Sequence, residues 1–253
     1  MNVDLRRGEY GIDGDFRVIP AAWQVTILGA ICVALATFSV VNINAGNSIV
    51  AGVTGVLAVG LVLMVSSYTF TTRVGKFRVW AQILAELGLR GDEDLLDLGC
   101  GRGAVLLAAA TLLPAGRAVG IDLWRADQTG NSPDRTRRNA ELEGVAERVT
   151  LHSGDMTSLP FDDQSFDVIV SSIAIHNIPK AAGRQAAIDE AVRVLRPGGR
   201  ILIVDLMHTK DHLGRLRSLG LIETERRNLG WRVWWGAPWF PTHLVTASKR
   251  PGN

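Results

Sequence analysis

Charge is missing from one long stretch of this 253-residue chain: between Arg17 and Arg73 there is no Asp, Glu, Lys, Arg or His. Cysteine is scarce as well. Two residues, Cys32 and Cys100, make no disulfide framework, and a reducing compartment fits them. The net charge of +2 comes without any Lys/Arg run, so the electrostatic footprint of a nucleic-acid partner is absent and none is expected. No His/Cys/Asp/Glu group has metal-ligand spacing, so no metal site is expected either.

Two apolar runs fill the uncharged stretch, Ala21 to Val41 and Ile49 to Phe70, with the polar turn Asn42 to Ser48 between them. Each run reaches the roughly 20 residues that an α-helix needs to cross a hydrocarbon core of about 30 Å. Trp23 and Tyr68 stand where interfacial aromatics stand. Arg6, Arg7 and Arg17 precede the first run, Arg73, Lys76 and Arg78 follow the second, and the connecting turn has no Lys or Arg. The positive-inside rule then places both ends in the cytoplasm. The expected organisation is a cytoplasmic tail (1–20), a transmembrane helical hairpin in the cell membrane (21–72) and a cytoplasmic domain (73–253). Three other readings compete: a cleaved signal peptide, a hairpin buried in a soluble core, and one span plus an interfacial segment. The first run starts late for a signal and is followed by a second, and neither run has the polar face of a soluble helix. Ala30/Ala34 and Ala51/Gly55 have the small-xxx-small spacing that lets helices approach closely.

From Gly75 onward strand and helix patterns alternate. Helices are expected at Phe77 to Leu89, Ala104 to Leu113, Arg135 to Gly144 and Ala181 to Leu195. Strands are expected at Asp94 to Leu98, Ala118 to Asp122, Val149 to His152, Phe166 to Ser172 and Arg200 to Leu206. Such alternation implies a parallel sheet covered on both faces, with ligands beyond the carboxyl ends of the strands. The residues there are informative. Asp97-Leu98-Gly99-Cys100-Gly101-Arg102-Gly103 follows the first strand, Asp122 ends the second, Gly154-Asp155-Met156 follows the third, and Ser171, Ser172 and His176-Asn177 close the fourth. Glycines let the backbone turn and approach a ligand, and a carboxylate about 20 residues on can hold ribose hydroxyls.

Gly99, Gly101 and Ala104 also satisfy the dinucleotide fingerprint, which is weak alone and keeps a nicotinamide-dependent oxidoreductase in view. Acids at three successive strand ends, Asp97, Asp122 and Asp155, suit an ammonium, a ribose and an exocyclic amine better than a pyrophosphate. A non-catalytic adenosyl-binding scaffold is the alternative from another class.

With Leu95 to Gly103, Gly120-Ile121-Asp122, Gly154-Asp155-Met156, Leu159-Pro160-Phe161-Asp162 with Ser165 to Val168, and Arg193 to Gly199 in order, the chain resembles the class I S-adenosylmethionine-dependent methyltransferases over about Gly75 to Arg250. The last three motifs are similar to the broad subgroup that includes quinone- and sterol-modifying enzymes. The resemblance implies an α/β, Rossmann-like methyltransferase fold: a mostly parallel seven-stranded sheet with helices on both faces, here preceded by two transmembrane α-helices. Thr242 to Lys249 would be its antiparallel strand. It also implies S-adenosyl-L-methionine as cofactor. Gly99, Gly101 and Gly103 would shape the turn at the methionine moiety, Asp97 would assist its ammonium, Asp122 would hold the ribose, and Asp155 the adenine amine. Leu123 and Met156 would lie at the ring, and Ser172 beside the methionine part. The stretch Trp124 to Asp134 is longer than usual and is a candidate lid or substrate loop.

His176 is the candidate base, against a plain packing or capping role. His152, His208, His212 and His243 have no comparable position, and Cys100 fills a place where small residues are ordinary. Trp231, Trp234, Trp235 and Trp239 read either as a substrate wall or membrane contact, or as packing of the last strands; Arg215, Arg217, Arg226 and Arg227 read as solvated surface that faces anionic lipid if it lies near a membrane. The expected acceptor is a lipid or other small molecule.

Overall fold

A computed structural model describes residues 6–13, 21–125 and 130–252. Helix α1 (Ala21–Asn44) and helix α2 (Ser48–Phe70) form a hairpin, and the base of α2 packs against Trp231, Trp235 and Gly236. The apolar windows of this pair are only 11% buried. Val33, Val56 and Leu63 expose 67%, 73% and 64% of their surface, so neither helix is the core of a soluble domain. The helices meet where Ser39 Oγ donates to the Ala51 carbonyl (2.7 Å) and lies against Gly55. Ala51/Gly55 is therefore at the contact, whereas Ala30 and Ala34 are exposed.

Helix α2 does not end at Phe70. The backbone runs through a wider π turn at Thr71–Gly75 into helix α3 (Lys76–Leu87), so that the short connector implied by the sequence is itself helical. Thr71 and Thr72 are buried in that turn. Gly75 is forced: a Cβ there would lie 1.8 Å from the Arg232 carbonyl oxygen. Helix α3 closes at Gly88, whose left-handed φ of 61° caps it.

The remaining elements are β1 (Asp94–Leu98), α4 (Leu106–Ala110), β2 (Arg117–Asp122), α5 (Pro133–Glu143), β3 (Val149–Ser153), β4 (Phe166–Ser172), α6 (Ala181–Val194), β5 (Leu195–Asp205), α7 (Thr209–Ser218), β6 (Ile222–Asn228) and β7 (His243–Ser248). The seven strands lie in the order β3-β2-β1-β4-β5-β7-β6. Only β7 is antiparallel to its neighbours. One core packs α3 and α4 on one face of the sheet through Trp80, Ile83, Leu106 and Leu107. The other packs α6 and α7 through Ile188, Val194 and Leu216. Strand order reverses between β1 and β4, which places the ligand crevice at their carboxyl ends.

Two departures from the sequence reading have local causes. Strand β5 starts at Leu195 rather than Arg200, because Leu195 pairs with Phe166 across a register shift. Helix α4 is shorter than the expected Ala104 to Leu113, since turns occupy both flanks of its five residues. The arginines at the end of α6 and just after it are structural ties. Arg193 bonds the carbonyls of Leu159 and Phe161 and pairs with Glu190 and Asp163, while Arg196 joins Asp94 to Asp167.

Candidate active site

The ends of β1, β2 and β4 open into a cavity of about 590 Å³, within the range of small-molecule sites. Asp97, Gly99, Gly101, Asp122, Leu123, Asp155, Met156, Ser172 and His176 all line it. Gly103 does not: it sits behind the turn, with a φ of 84°, where a Cβ would strike Leu107. Gly99 faces the crevice with a φ of 74°, and a Cβ there would lie 2.4 Å from that of Ala174. Its N–H and that of Cys100 both donate to the Ile121 carbonyl, fixing the turn against β2.

Three carboxylates occupy different environments. Asp97 is 1% exposed, and its Oδ1 has no hydrogen-bond partner among the described residues. Burial pushes this carboxyl up to about 8; Asp122 nearby adds to the rise, and a backbone bond at Leu106 opposes it. Asp122 is held by the N–H groups of Gly101 (2.9 Å) and Trp124 (2.6 Å), with Asn131 at 3.3 Å. Asp155 sits in an exposed turn, Oδ1 accepting from the N–H and hydroxyl of Thr157 (2.8 Å each). Cys100 is buried, and burial, with Asp97 and Asp122 adding to it, pushes its thiol well up. That leaves it a poor nucleophile.

On the other side, His176 follows β4 in a short turn. Its Nδ1 lies 2.6 Å from Asp205 Oδ1, close though not at the angle of a good hydrogen bond, and its backbone N–H donates to Asp205 Oδ2 (3.1 Å). Asp205 ends β5 and is fully buried. Burial pushes its carboxyl up, but the His176 and His212 rings beside it and the Leu206 N–H prevail and hold it below the usual carboxylate range. Buried His212, on α7, is 3.7 Å from the same carboxylate. Ile173, between Ser172 and His176, has a left-handed φ of 53°, which is strained for a β-branched residue. Its N–H bond to Val204 (2.8 Å) holds it there.

Several lining residues escaped the sequence reading. Lys76, Phe77 and Trp80 come from α3, and Trp80 Nε1 donates to Ser172 Oγ (2.9 Å). Asp13 reaches the cavity from the N-terminal segment and pairs with Lys76. That segment is strapped across the domain. Arg7 and Gly8 N–H groups and the Tyr10 hydroxyl all bond Glu143 Oε1, and Asn139 bonds both the N–H and the carbonyl of Glu9. Of the long stretch after β2, residues 126–129 lie outside the described residues, while Trp124 turns its indole to Ser153 (2.7 Å).

The tryptophans divide between the two readings made of them. Trp235 lines the cavity and meets Tyr68 edge-on (6.2 Å), and Trp231 stacks on Phe70 (5.3 Å). Both rings pack on the base of α2, and Trp235 Nε1 also donates to Thr242 Oγ1 (3.1 Å) just before β7. The arginines read as solvated surface have partners within the domain: Arg215 with Asp189, Arg217 with Thr224, Arg226 with Thr209 and Arg227 with Glu86.

Residues 95–199 match the sequence profile of the family described as methyltransferase domain. Residues 95–199 are thus a methyltransferase domain, of the kind that draws its methyl group from S-adenosylmethionine. It is 33% identical over 133 residues to the ubiquinone/menaquinone biosynthesis C-methyltransferase UbiE of Roseobacter denitrificans, covering 52% of this chain and 50% of that one. It is 32% identical over 149 residues to the 27-O-demethylrifamycin SV methyltransferase of Amycolatopsis mediterranei, covering 56% and 52%. The chain thus spans about half the length of the curated relatives it matches. The crystal structure of geranyl diphosphate C-methyltransferase from Streptomyces coelicolor, in complex with S-adenosyl-L-homocysteine, shares the fold of the methyltransferase domain. The TM-score is 0.53 at 18% identity, covering 67% of this chain and 78% of that one.

The residues of the methyltransferase domain fit the cofactor. The buried, partnerless Asp97 oxygen is suited to an ammonium, and Asp122 keeps acceptor capacity beyond its present donors. Gly99 leaves open the space that a Cβ would fill.

Proposed function

We propose that the protein is a membrane-anchored methyltransferase that transfers the methyl group of S-adenosylmethionine to a lipophilic acceptor at the cytoplasmic face of the cell membrane. The observation that carries the chemistry is the set of three acids at successive strand ends in one cavity, with a buried Asp97 oxygen left unpaired. The anchor reading is supported by two long apolar helices whose apolar windows are only 11% buried.

S-adenosylmethionine supplies an electrophilic methyl group on a sulfonium that is a good leaving group. The protein's share is alignment and exclusion of water, which effective molarity values at roughly 7–11 kcal/mol. Asp97 would take the ammonium, Asp122 the ribose hydroxyls in place of the long Asn131 contact, and Asp155 the adenine amine beside Leu123 and Met156. Asp205 holds the Nδ1 side of His176, which leaves Nε2 to accept the acceptor's proton as the new bond forms. The buried, ionised Asp205 stabilises the imidazolium that results.

Full-length protein reconstituted with methyl-labelled donor and extracted membrane lipids tests this reading. Label is expected in the organic phase. Label confined to water-soluble products would remove the lipophilic acceptor. Absence of any transfer, together with binding of a nicotinamide dinucleotide, would favour an oxidoreductase.

A further inference from the structure

The segment between β6 and β7 climbs alongside the second apolar helix. Gly236 packs against Met64, where a Cβ would lie 3.1 Å from the Met64 side chain. Ser67 Oγ (3.1 Å) and Thr71 Oγ1 (2.7 Å) both donate to the Trp234 carbonyl. Met64 is six residues inside the end of the apolar run, about 9 Å along a helix. The loop therefore overlaps the last turns of α2 rather than stopping short of them.

At that level it turns large rings outward. Trp231, Trp239 and Phe240 are 56%, 72% and 52% exposed. Single exposed apolar residues are ordinary, but three in ten residues beside an uncovered apolar helix are not. The loop is not slack: Val233 and Ala237 are buried, and Thr242 Oγ1 binds the Val233 carbonyl (2.7 Å) and receives Trp235 Nε1 (3.1 Å). A turn closed by the Phe240 N–H on Ala237 (3.2 Å) presents the exposed pair. Arg232 lies over the Trp231 ring, a cationic and aromatic pairing suited to the headgroup layer.

The cavity rim belongs to the same place. Trp235, Asp13 and Lys76 line it, Tyr68 contacts both Trp235 and the Asp13 carbonyl, and Lys76 is six residues beyond Phe70. That is about 9 Å past the apolar run, against a headgroup layer of roughly 5–8 Å.

We propose that the 231–240 loop inserts Trp231, Trp239 and Phe240 into the bilayer interface and turns the cavity rim at Trp235 towards the lipid. The acceptor is then an amphiphile whose polar, reactive head enters the cavity while its apolar tail stays in the membrane. This rests on the membrane reading above. The occupant of the exposed rings is the bilayer, because the helix on which the loop is clamped carries no charged residue before Arg73 and exposes Val62, Leu63 and Met64 beside the loop.

Full-length protein carrying Trp23→Phe is reconstituted in phosphatidylcholine vesicles with bromine either high or low on the acyl chains. Bromine near the headgroup is expected to quench tryptophan emission more than bromine near the chain end. Adding Trp231→Phe and Trp239→Phe, which keep a ring at each site, should remove most of the quenched component. If the protein floats with the vesicles but emission is the same with and without bromine, the loop faces water and this inference falls while the anchor stands. If the protein does not float with vesicles, both fall. Binding of S-adenosylhomocysteine, measured on the same samples, reports the methyltransferase reading separately.

Discussion

The two halves of the cavity are built differently. The donor half comes from the tips of β1 and β2 and the turn after β3, each within a short motif, and its acids are held by neighbouring backbone N–H groups. The acceptor half is assembled from α3, residues 6–13, the turn after β4 and the 231–240 loop, pieces scattered from one end of the chain to the other. On the proposed reading, the donor half would recognise a fixed ligand with local devices. The acceptor half is free to vary with the substrate.

Removing the proposed base should do the most damage. His176→Ala is expected to lower kcat by about 10²–10⁴ with donor affinity unchanged. Steady-state kinetics on an acceptor that must lose a proton checks this, and a loss of only a few-fold would reduce the acceptor half to placement. Asp122→Ala should weaken donor binding roughly 10–100-fold, as expected for lost hydrogen bonds to a charged group. Titration calorimetry reads it, and an unchanged affinity would remove Asp122 from the donor half.

Asp97 gives a pH effect whose sign is fixed by its surroundings. Its carboxyl is near 4 when unfolded and about 8 when folded. The folded state binds the extra proton between those values, so stability falls as pH rises from about 4 to 8. Thermal melts without donor should show this slope, and Asp97→Asn should flatten it. An ammonium placed beside Asp97 favours its ionised form, so donor binding at neutral pH should release a proton. The smallest effect concerns the strap. Tyr10→Phe deletes the 2.8 Å bond to Glu143 and should cost about 0.5–1.5 kcal/mol, read as faster proteolysis of the N-terminal segment. Burial, with Glu143 beside it, pushes the Tyr10 phenol well up, so this effect should not vary with pH around neutrality.

The same division explains what could be read before the fold was known. Strand β4 has the ends expected from its apolar run, and Asp97, Asp122 and Asp155 meet in one cavity, because a strand, its turn and its terminal acid are encoded side by side. Strand β6 escaped: Ile222-Glu-Thr-Glu-Arg-Arg-Asn228 is the charged edge of the sheet, and such edges lack the apolar alternation that marks a strand. Asp205 ends an expected strand, but its contact with His176 spans two elements and no spacing announces it. The strap was equally silent, since Gly8 and Glu143 are 135 residues apart. The π turn at Thr71–Gly75 follows from packing on the Trp234 and Arg232 carbonyls, which the local sequence does not reveal.

The most direct test of the donor half is calorimetric titration of the full-length protein with S-adenosylhomocysteine. One site per chain is expected, with affinity weakened in Asp122→Ala and a proton released near neutral pH. No heat from folded wild-type protein, in the presence of intact vesicles, would contradict the assignment of this cavity to a methyl donor.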